Sequence, residues 1–333
     1  MTRIGLIGCG MWGRNLARNL SQLGVLASVA DVDADRANAF ATEFESAAQS
    51  VETLLADSTL AGVVLATAAP SHCDLAISAL ENGLHVYVEK PLALNLEDAQ
   101  KMAAAAEQAD KQIMVGHLIR YHDAFIELHR QVAAGAVGEV RHITANRLAM
   151  GRIRSVESVI FDLCPHDLSL VLALMDGEPQ KITCNGACHI TPGIVDVAST
   201  FLGFSGGRSA TLNTSWITPY KEHRLTVTGS TGALVFDDGL GWDEKLTLYR
   251  DDIRPDAQSA SQNTQIGHGF IINREKPQHL PLPESEPLKQ EMRAFIECAE
   301  TGRPPTTDIR DALAVQRVLE TMNNNLNAFG VPA

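Results

Sequence analysis

The sequence has no surplus of basic side chains. Its 333 residues carry 27 Lys and Arg against 40 Asp and Glu, a formal net charge of −13. That balance argues against a nucleic-acid groove or an anionic membrane surface, while leaving room for a local basic pocket. No apolar run reaches the length that crosses a bilayer. The amino terminus shows no basic segment followed by an apolar stretch and a cleavage site. The six cysteines, at positions 9, 73, 164, 184, 188 and 298, are scattered, as expected of thiols kept reduced in the cytoplasm. No internal repeat is found. What is present is ordinary globular composition, 45% hydrophobic and 20% charged, in a chain long enough for two domains with substantial cores. The expectation is a cytoplasmic enzyme.

The amino-terminal half alternates apolar strands with helices. Residues 3–7 read as a strand, Gly8-Cys9-Gly10-Met11-Trp12-Gly13 follows at once, and a helix covers 15–23. Gly-x-Gly-x-x-Gly in that context points to a dinucleotide. Gly8 makes the tight turn, Gly10 lets the backbone approach a pyrophosphate, and Gly13 lets the helix pack on the sheet. The free N–H groups at the start of the helix favour phosphate, which puts Met11 and Trp12 among the cofactor contacts. A second strand over 26–30 ends at Asp31, 18 residues after Gly13. A carboxylate there accepts hydrogen bonds from both adenine-ribose hydroxyls and repels a 2′-phosphate, unless it merely caps the next helix.

A buried strand over 61–66 leads to a loop that offers Thr67 and His72 to the cofactor; a structural hydrogen bond is the competing role for His72. The strand 85–88 ends in Glu89-Lys90-Pro91. Ligands of open α/β sheets bind beyond the carboxyl ends of the strands, so Glu89 and Lys90 would face the site. Pro91 restricts Lys90 to extended backbone and favours a cis bond more than other residues do. A charged residue at an ordinary strand end is the alternative. A helix over 96–108, a strand over 113–115 and Gly116-His117-Leu118-Ile119-Arg120-Tyr121 complete a doubly wound parallel sheet.

After a helix over 124–134 the pattern changes. Alternating strands are predicted over 138–148, 180–190, 196–204, 208–216, 224–228, 233–237 and 245–249, with a helix over 161–175. Short turns between successive strands require antiparallel pairing. The product is an open sheet with helices on one face and an oligomer interface on the other. Residues 251–284 read as a long loop, and helices over 288–302 and 308–329 close the chain. Cys184, Cys188 and His189 do not form a metal site, because in a strand the histidine faces away from the two thiols. Asp162 and His166 are four apart at the start of the long helix, on one face, with Pro165 in its first turn. Caps and a structural histidine are the alternative.

These pieces together resemble the glucose–fructose oxidoreductase / inositol dehydrogenase / MocA family over most of the chain. The resemblance rests on the glycine loop with Asp31, on residues 67–72, 83–91, 116–121 and 135–140, and on Asp162 to Asp167. It implies an α/β fold: a Rossmann domain over 1–120, then an α+β domain over 121–333 with an open, mainly antiparallel sheet, whose closing helix packs back on the first domain. It further implies NAD held through Gly8 and Gly10, a cis bond before Pro91, and a homodimer or homotetramer built on the open sheet. Lys90 and His166 would serve the substrate hydroxyl, with Asp162 binding substrate and Arg120 beside them. Ala68-Ala69-Pro70 departs from the family's Thr-Pro-Pro or Thr-Pro-Asn, so local nicotinamide contacts can differ.

The chemistry implied is reversible hydride transfer between a secondary alcohol carbon and nicotinamide, with Lys90 or His166 taking the proton. An NAD-dependent glycosidase on the same fold and a non-catalytic dinucleotide sensor are the competitors. The stretch 147–154 holds Arg147, Arg152 and Arg154 and no acid, and guanidinium groups pair with phosphate and carboxylate, so Arg152 and Arg154 are assigned to an anionic substrate; a solvated loop or subunit contact is the alternative. The stretches 161–167 and 215–221 resemble the branch of the family found with sugar-nucleotide biosynthesis, and with the arginines that resemblance implies a nucleotide-linked sugar, with free inositol or glucose as runner-up.

Asp31 is followed by Val32-Asp33 and not by an arginine; Arg36 on the next helix is the one feature favouring NADP. NADH is therefore expected to bind the purified protein more tightly than NADPH in a fluorescence titration. Equal or tighter NADPH binding would overturn this.

Overall fold

The computed structural model describes residues 2–151, 153–154, 157–255 and 270–329. The chain divides into two compact units, Met1–His122 with Ser285–Thr321, and Asp123–Glu284 with Met322–Ala333. Among the described residues no helix is long and apolar enough to cross a membrane, and no group of three His, Cys, Asp or Glu could hold a metal ion.

The first unit runs β1 (Ile4–Ile7), α1 (Met11–Gln22), β2 (Leu26–Ala30), α2 (Ala34–Glu43), β3 (Ala47–Ala48), α3 (Val51–Leu55), β4 (Gly62–Leu65), α4 (His72–Glu81), β5 (His85–Val88), α5 (Leu96–Ala109) and β6 (Ile113–Val115). All six strands are parallel, in the order β3-β2-β1-β4-β5-β6, and the order in which strands are added switches sides between β1 and β4. The short β3 adds a strand that the sequence pattern does not reveal. Every residue of β1, β4, β5 and β6 is buried, as a parallel sheet covered on both faces requires. Alternate residues enter different cores. Val63, Leu65, Val86 and Val88 pack with Met102 on one face, while Leu6, Val64, Tyr87 and Met114 pack with Leu16 on the other. Asp33, Ser50 and Asn95 cap α2, α3 and α5 by accepting backbone N–H groups in the first turn.

Two helices from the end of the chain, Pro287–Thr301 and most of Ile309–Asn324, belong to this first unit. Leu288, Met292 and Phe295 complete the core around Leu16 and Tyr87, and the Phe295 ring lies edge-on to Tyr87 at 5.8 Å.

The second unit contains α6 (Asp123–Ala133), β7 (Val140–Met150), α7 (Val159–Met175), β8 (Lys181–Ala187), β9 (Val197–Gly203), β10 (Ser209–Ser215), β11 (Ile217–Gly229), β12 (Ala233–Asp237), β13 (Leu246–Tyr249), β14 (Asp252–Pro255), β15 (Phe270–Asn273), β16 (Gln278–His279) and β17 (Leu326–Phe329). Nine strands form one sheet, β16-β13-β12-β11-β7-β10-β9-β8-β17. It is mainly antiparallel, but β7 pairs with β10 and β8 with β17 in parallel. Antiparallel pairing follows only from short turns; α7 and the β8–β9 hairpin separate β7 from β10 and permit a crossover. The inner residues Ile143, Ala145, Leu212 and Leu202 are buried, and α7 packs on β7, β9 and β10.

Three expectations are corrected here. The helix read over 308–329 stops at Asn324, where Asn323-Asn324-Asn325 favours termination, and Leu326–Phe329 becomes an edge strand. The loop read over 251–284 holds strands among its described residues, since β14 pairs with β15 and β16 with β13, while 256–269 lie outside the described residues. Helix α7 begins at Val159, so Pro165 lies in its second turn and not its first.

Phe295→Ala should cost about 3–5 kcal/mol, the usual range for emptying a buried aromatic site. Urea unfolding followed by far-ultraviolet circular dichroism measures it. A loss under about 1 kcal/mol would mean that this helix does not support the first core.

Candidate active site

The glycine loop joins β1 to α1 at the carboxyl end of the sheet. Gly8 has φ +107°, and a Cβ there would lie 2.5 Å from the Ala66 carbonyl oxygen. A Cβ on Gly13 would lie 2.0 Å from the Gly8 carbonyl oxygen, so α1 can start this close to β1 only with glycine present. A Cβ on Gly10 would meet nothing within 4 Å, which leaves its backbone open to a ligand. Two glycines thus build the turn and the third offers backbone to phosphate; the cradle fits a dinucleotide.

Asp31 at the end of β2 is held by this loop. Its Oδ2 accepts the Cys9 N–H at 2.7 Å and its Oδ1 accepts the Asp33 N–H at 2.9 Å. Arg36 reaches Asp31 at 3.4 Å and Asp33 at 3.2 Å, so its guanidinium already lies between two carboxylates. Burial, and then the Asp31 charge, pushes the Cys9 thiol up to about 12, which removes it from nucleophilic chemistry.

Met11 and Trp12 occupy the first turn of α1 and are exposed. The Trp12 indole N–H donates to Glu89 Oε1, tying the glycine loop to the end of β5. Glu89 also accepts from Tyr87 O–H at 3.0 Å and from the Lys90 N–H at 3.2 Å. The Lys90–Pro91 peptide is cis. The Tyr87 oxygen further meets Glu291 Oε2 at 3.1 Å. A phenol has one proton, so both contacts are satisfied when Glu291 is protonated and donates to the tyrosine oxygen. Burial, and then the Glu89 charge, raises the Glu291 carboxyl well above its usual range; burial also raises Glu89. Gly116 makes the space, because a Cβ there would stand 2.5 Å from the Tyr87 hydroxyl.

Two expected contacts have other tasks. His72 is buried, with Nδ1 3.0 Å from the Pro91 carbonyl oxygen and Nε2 3.2 Å from that of Thr67. Burial lowers its pKa, so the neutral ring donates to one of these carbonyl oxygens and packs against the other, joining the loops after β4 and β5 with neither nitrogen turned to a cofactor. Thr67 itself accepts a 2.8 Å hydrogen bond from Ser71. Arg120, assigned to substrate, pairs with Asp311 at 2.9 Å inside the first unit.

In the second unit Asp162 and His166 both lie on α7, one turn apart. Asp162 is buried. Its Oδ2 accepts the Trp216 indole N–H at 3.1 Å, and its Oδ1 accepts from Arg154 at 3.1 Å. Arg154, expected to bind an anionic substrate, is thus a partner of the aspartate and of Glu157 at 3.5 Å. Arg152 lies outside the described residues. Immediately after His166, Asp167 forms a buried bidentate pair with Arg147 on β7, at 3.0 and 2.7 Å. That pair fixes the turn of α7 that carries the histidine.

Sequence reasoning missed Trp216, Tyr87 and Glu291 as supporting residues. Glu291 had a signal, an acid on the apolar face formed by Leu288, Met292 and Phe295. Trp216 lies 54 residues from Asp162, and nothing in the spacing joins them.

Known proteins decide the family. A model described as an oxidoreductase family with an NAD-binding Rossmann fold, Gfo/Idh/MocA, matches residues 2–117, and the model of its C-terminal domain matches 125–235. The chain belongs to this family. A UDP-N-acetylglucosamine 3-dehydrogenase from Acidithiobacillus ferrooxidans is 33% identical over 68% of this chain and 70% of its own length. A myo-inositol 2-dehydrogenase from Thermotoga maritima is 26% identical over 93% and 91%. The solved structure of the Acidithiobacillus enzyme covers 97% of each chain at 26% identity with a TM-score of 0.82. This Gfo/Idh/MocA protein is therefore an NAD-dependent oxidoreductase of the sugar dehydrogenase type.

The buried acids carry a pH signature. Unfolded, Glu291 titrates near its ordinary 4.5; folded, it titrates higher, so above about 4.5 the folded state holds the extra proton. Stability should then fall as pH rises from 4.5 towards the raised folded value, and the fall should be shallower in Glu291→Gln. Urea-unfolding free energies of both proteins between pH 4.5 and 8 test this; identical slopes would refute it.

Proposed function

We propose that this chain oxidises or reduces a ring carbon of a nucleotide-linked sugar. The 33% identity to a UDP-N-acetylglucosamine 3-dehydrogenase carries the choice of substrate. When bound, the nicotinamide supplies the hydride acceptor or donor. Gly8, Gly10 and Gly13 hold its pyrophosphate side, with Met11 and Trp12 in the first helical turn and Asp31 towards the adenine ribose. Thr67, Glu89 and Lys90 lie at the strand ends on the nicotinamide side.

In oxidation the carbinol hydrogen leaves as hydride with the electron pair of the breaking C–H bond and the hydroxyl proton leaves to a base, giving a ketone. Lys90 or His166 takes that proton while the other hydrogen-bonds the same hydroxyl, and a positioned acid–base group of this kind is worth on the order of 10²–10⁴ in rate. Asp162 binds a neighbouring hydroxyl or the imidazole. Trp216 and Arg154 hold that carboxylate in place, which supports a positioning role for Arg154 rather than a direct grip on a diphosphate. Free inositol is the second reading, favoured by the longer coverage of the inositol dehydrogenase.

The same reading makes the protein a cytoplasmic homodimer or homotetramer. Thr144, Asn146, Ser199, Phe201, Thr211 and Asn213 line the sheet face opposite α7, and Phe201 is 44% exposed there.

Steady-state kinetics with UDP-N-acetylglucosamine and myo-inositol, on the parent and Lys90→Ala, test this reading. The nucleotide sugar should be oxidised with accumulation of NADH, and Lys90→Ala should lower kcat by about 10²–10⁴ with NADH affinity within a few-fold. Efficient use of inositol alone would overturn the substrate class. Near-normal turnover in Lys90→Ala would overturn the mechanism, and turnover without net NADH would point to glycoside cleavage.

A further inference from the structure

His117 is the polar residue at the end of β6 that neither the sequence pattern nor the family match assigns. Val115 is the register partner of Val88, and the Gly116 N–H donates to the Val88 carbonyl oxygen at 2.9 Å. Two residues beyond that register, His117 therefore stands beside Lys90 on the neighbouring strand end. Its backbone is pinned: its N–H donates to the Val115 carbonyl oxygen at 2.7 Å and its carbonyl oxygen accepts the Arg120 N–H at 2.9 Å. The side chain is 3% exposed, yet neither Nδ1 nor Nε2 has a hydrogen-bond partner among the described residues.

That combination is unusual, because buried polar side chains nearly always find a partner. The other buried histidines of this sheet obey the rule. His72 meets two carbonyl oxygens, and His85 Nδ1 accepts the Gln112 N–H at 3.1 Å. If His117 served packing alone, a leucine would fill the space without the cost of stripping water from two nitrogens. Its charge state narrows the ligand. Burial first, then Arg120 and Lys90, lowers its pKa to about 3, so at neutral pH the ring carries one N–H donor and one bare nitrogen acceptor. A phosphate or carboxylate only accepts and would leave the second nitrogen unmatched. A hydroxyl or a carboxamide both donates and accepts.

We propose that His117 is a ligand-binding residue at the carboxyl ends of β5 and β6, hydrogen-bonding a neutral group that both donates and accepts, either the nicotinamide carboxamide or a substrate hydroxyl. This rests on the reading that the Lys90 edge receives dinucleotide and sugar.

The test compares the parent with His117→Leu and His117→Gln in three measurements: thermal unfolding without ligand, NADH binding by fluorescence without substrate, and KM for the nucleotide-linked sugar. In His117→Leu the ligand-free Tm should be unchanged or higher, since the variant removes buried polar atoms that lack partners. One ligand should weaken about tenfold, the scale of one lost hydrogen bond. A raised Kd for NADH identifies the carboxamide; a raised KM with unchanged Kd identifies the substrate hydroxyl. His117→Gln keeps a donor and an acceptor and should recover most of the loss. A lower ligand-free Tm in His117→Leu, with Kd and KM both within twofold of the parent, would overturn the proposal. So would a tenfold loss that His117→Gln fails to relieve. The NADH measurement needs no turnover, so its failure is distinct from a failure of the hydride-transfer reading, which Lys90→Ala reports.

Discussion

The first unit depends on a backbone contact that admits no side chain. Where β1 turns into α1, a Cβ on Gly13 would come within 2.0 Å of the Gly8 carbonyl oxygen, and one on Gly8 within 2.5 Å of Ala66. Bringing helix, turn and neighbouring strand so close aims the first N–H groups of α1 over the carboxyl edge of the sheet. Because all six strands are parallel, that edge also receives Asp31, Thr67, Glu89, Lys90 and His117 from the ends of β2, β4, β5 and β6. One steric constraint thus sets the entry of a helix, and parallel topology gathers the chemistry beside it.

Around that edge the polar side chains support one another. Trp12, in the helix that the glycines admit, donates to Glu89; Glu89 shares Tyr87 with Glu291; and the Lys90 N–H donates to Glu89. The second unit repeats this logic with different parts. Asp162 is held by Trp216 and Arg154, and the turn bearing His166 by the Arg147–Asp167 pair. In both units the acids beside the groups proposed for catalysis, Glu89, Asp162 and Asp167, are held by donors on neighbouring elements, which is how a site holds its geometry before a ligand arrives.

Much of this was legible because it is local. The glycine spacing, the acid ending β2, the Glu-Lys-Pro run and the four-residue interval from Asp162 to His166 are relations along a few turns of chain, where backbone geometry dictates which residues share a face. The departures arose where distant segments meet. The edge strand Leu326–Phe329 exists because β8 offers it a partner 142 residues away, between Cys184 and Leu326. Arg154 looked like an anion site because the stretch 147–154 holds three arginines and no acid, whereas Glu157, three residues on, and Asp162, further along, are its partners in the fold. His72 kept the burial that a loop histidine can have, but its two carbonyl partners come from separate strand ends.

By itself the sequence determined the doubly wound parallel sheet of the first unit, its short edge strand aside, and the class of ligand it takes, since a periodic apolar pattern and three glycines leave few ways to bury a parallel sheet and expose backbone N–H groups. Only the tertiary structure decided which polar groups are already partnered and which remain open to a ligand. Glu291, Trp216 and Asp311 reach Tyr87, Asp162 and Arg120 across 204, 54 and 191 residues, and His117 meets no such partner among the described residues. Hydrogen bonds act over about 3 Å in space regardless of separation along the chain, so that distinction exists only after folding has chosen the neighbours.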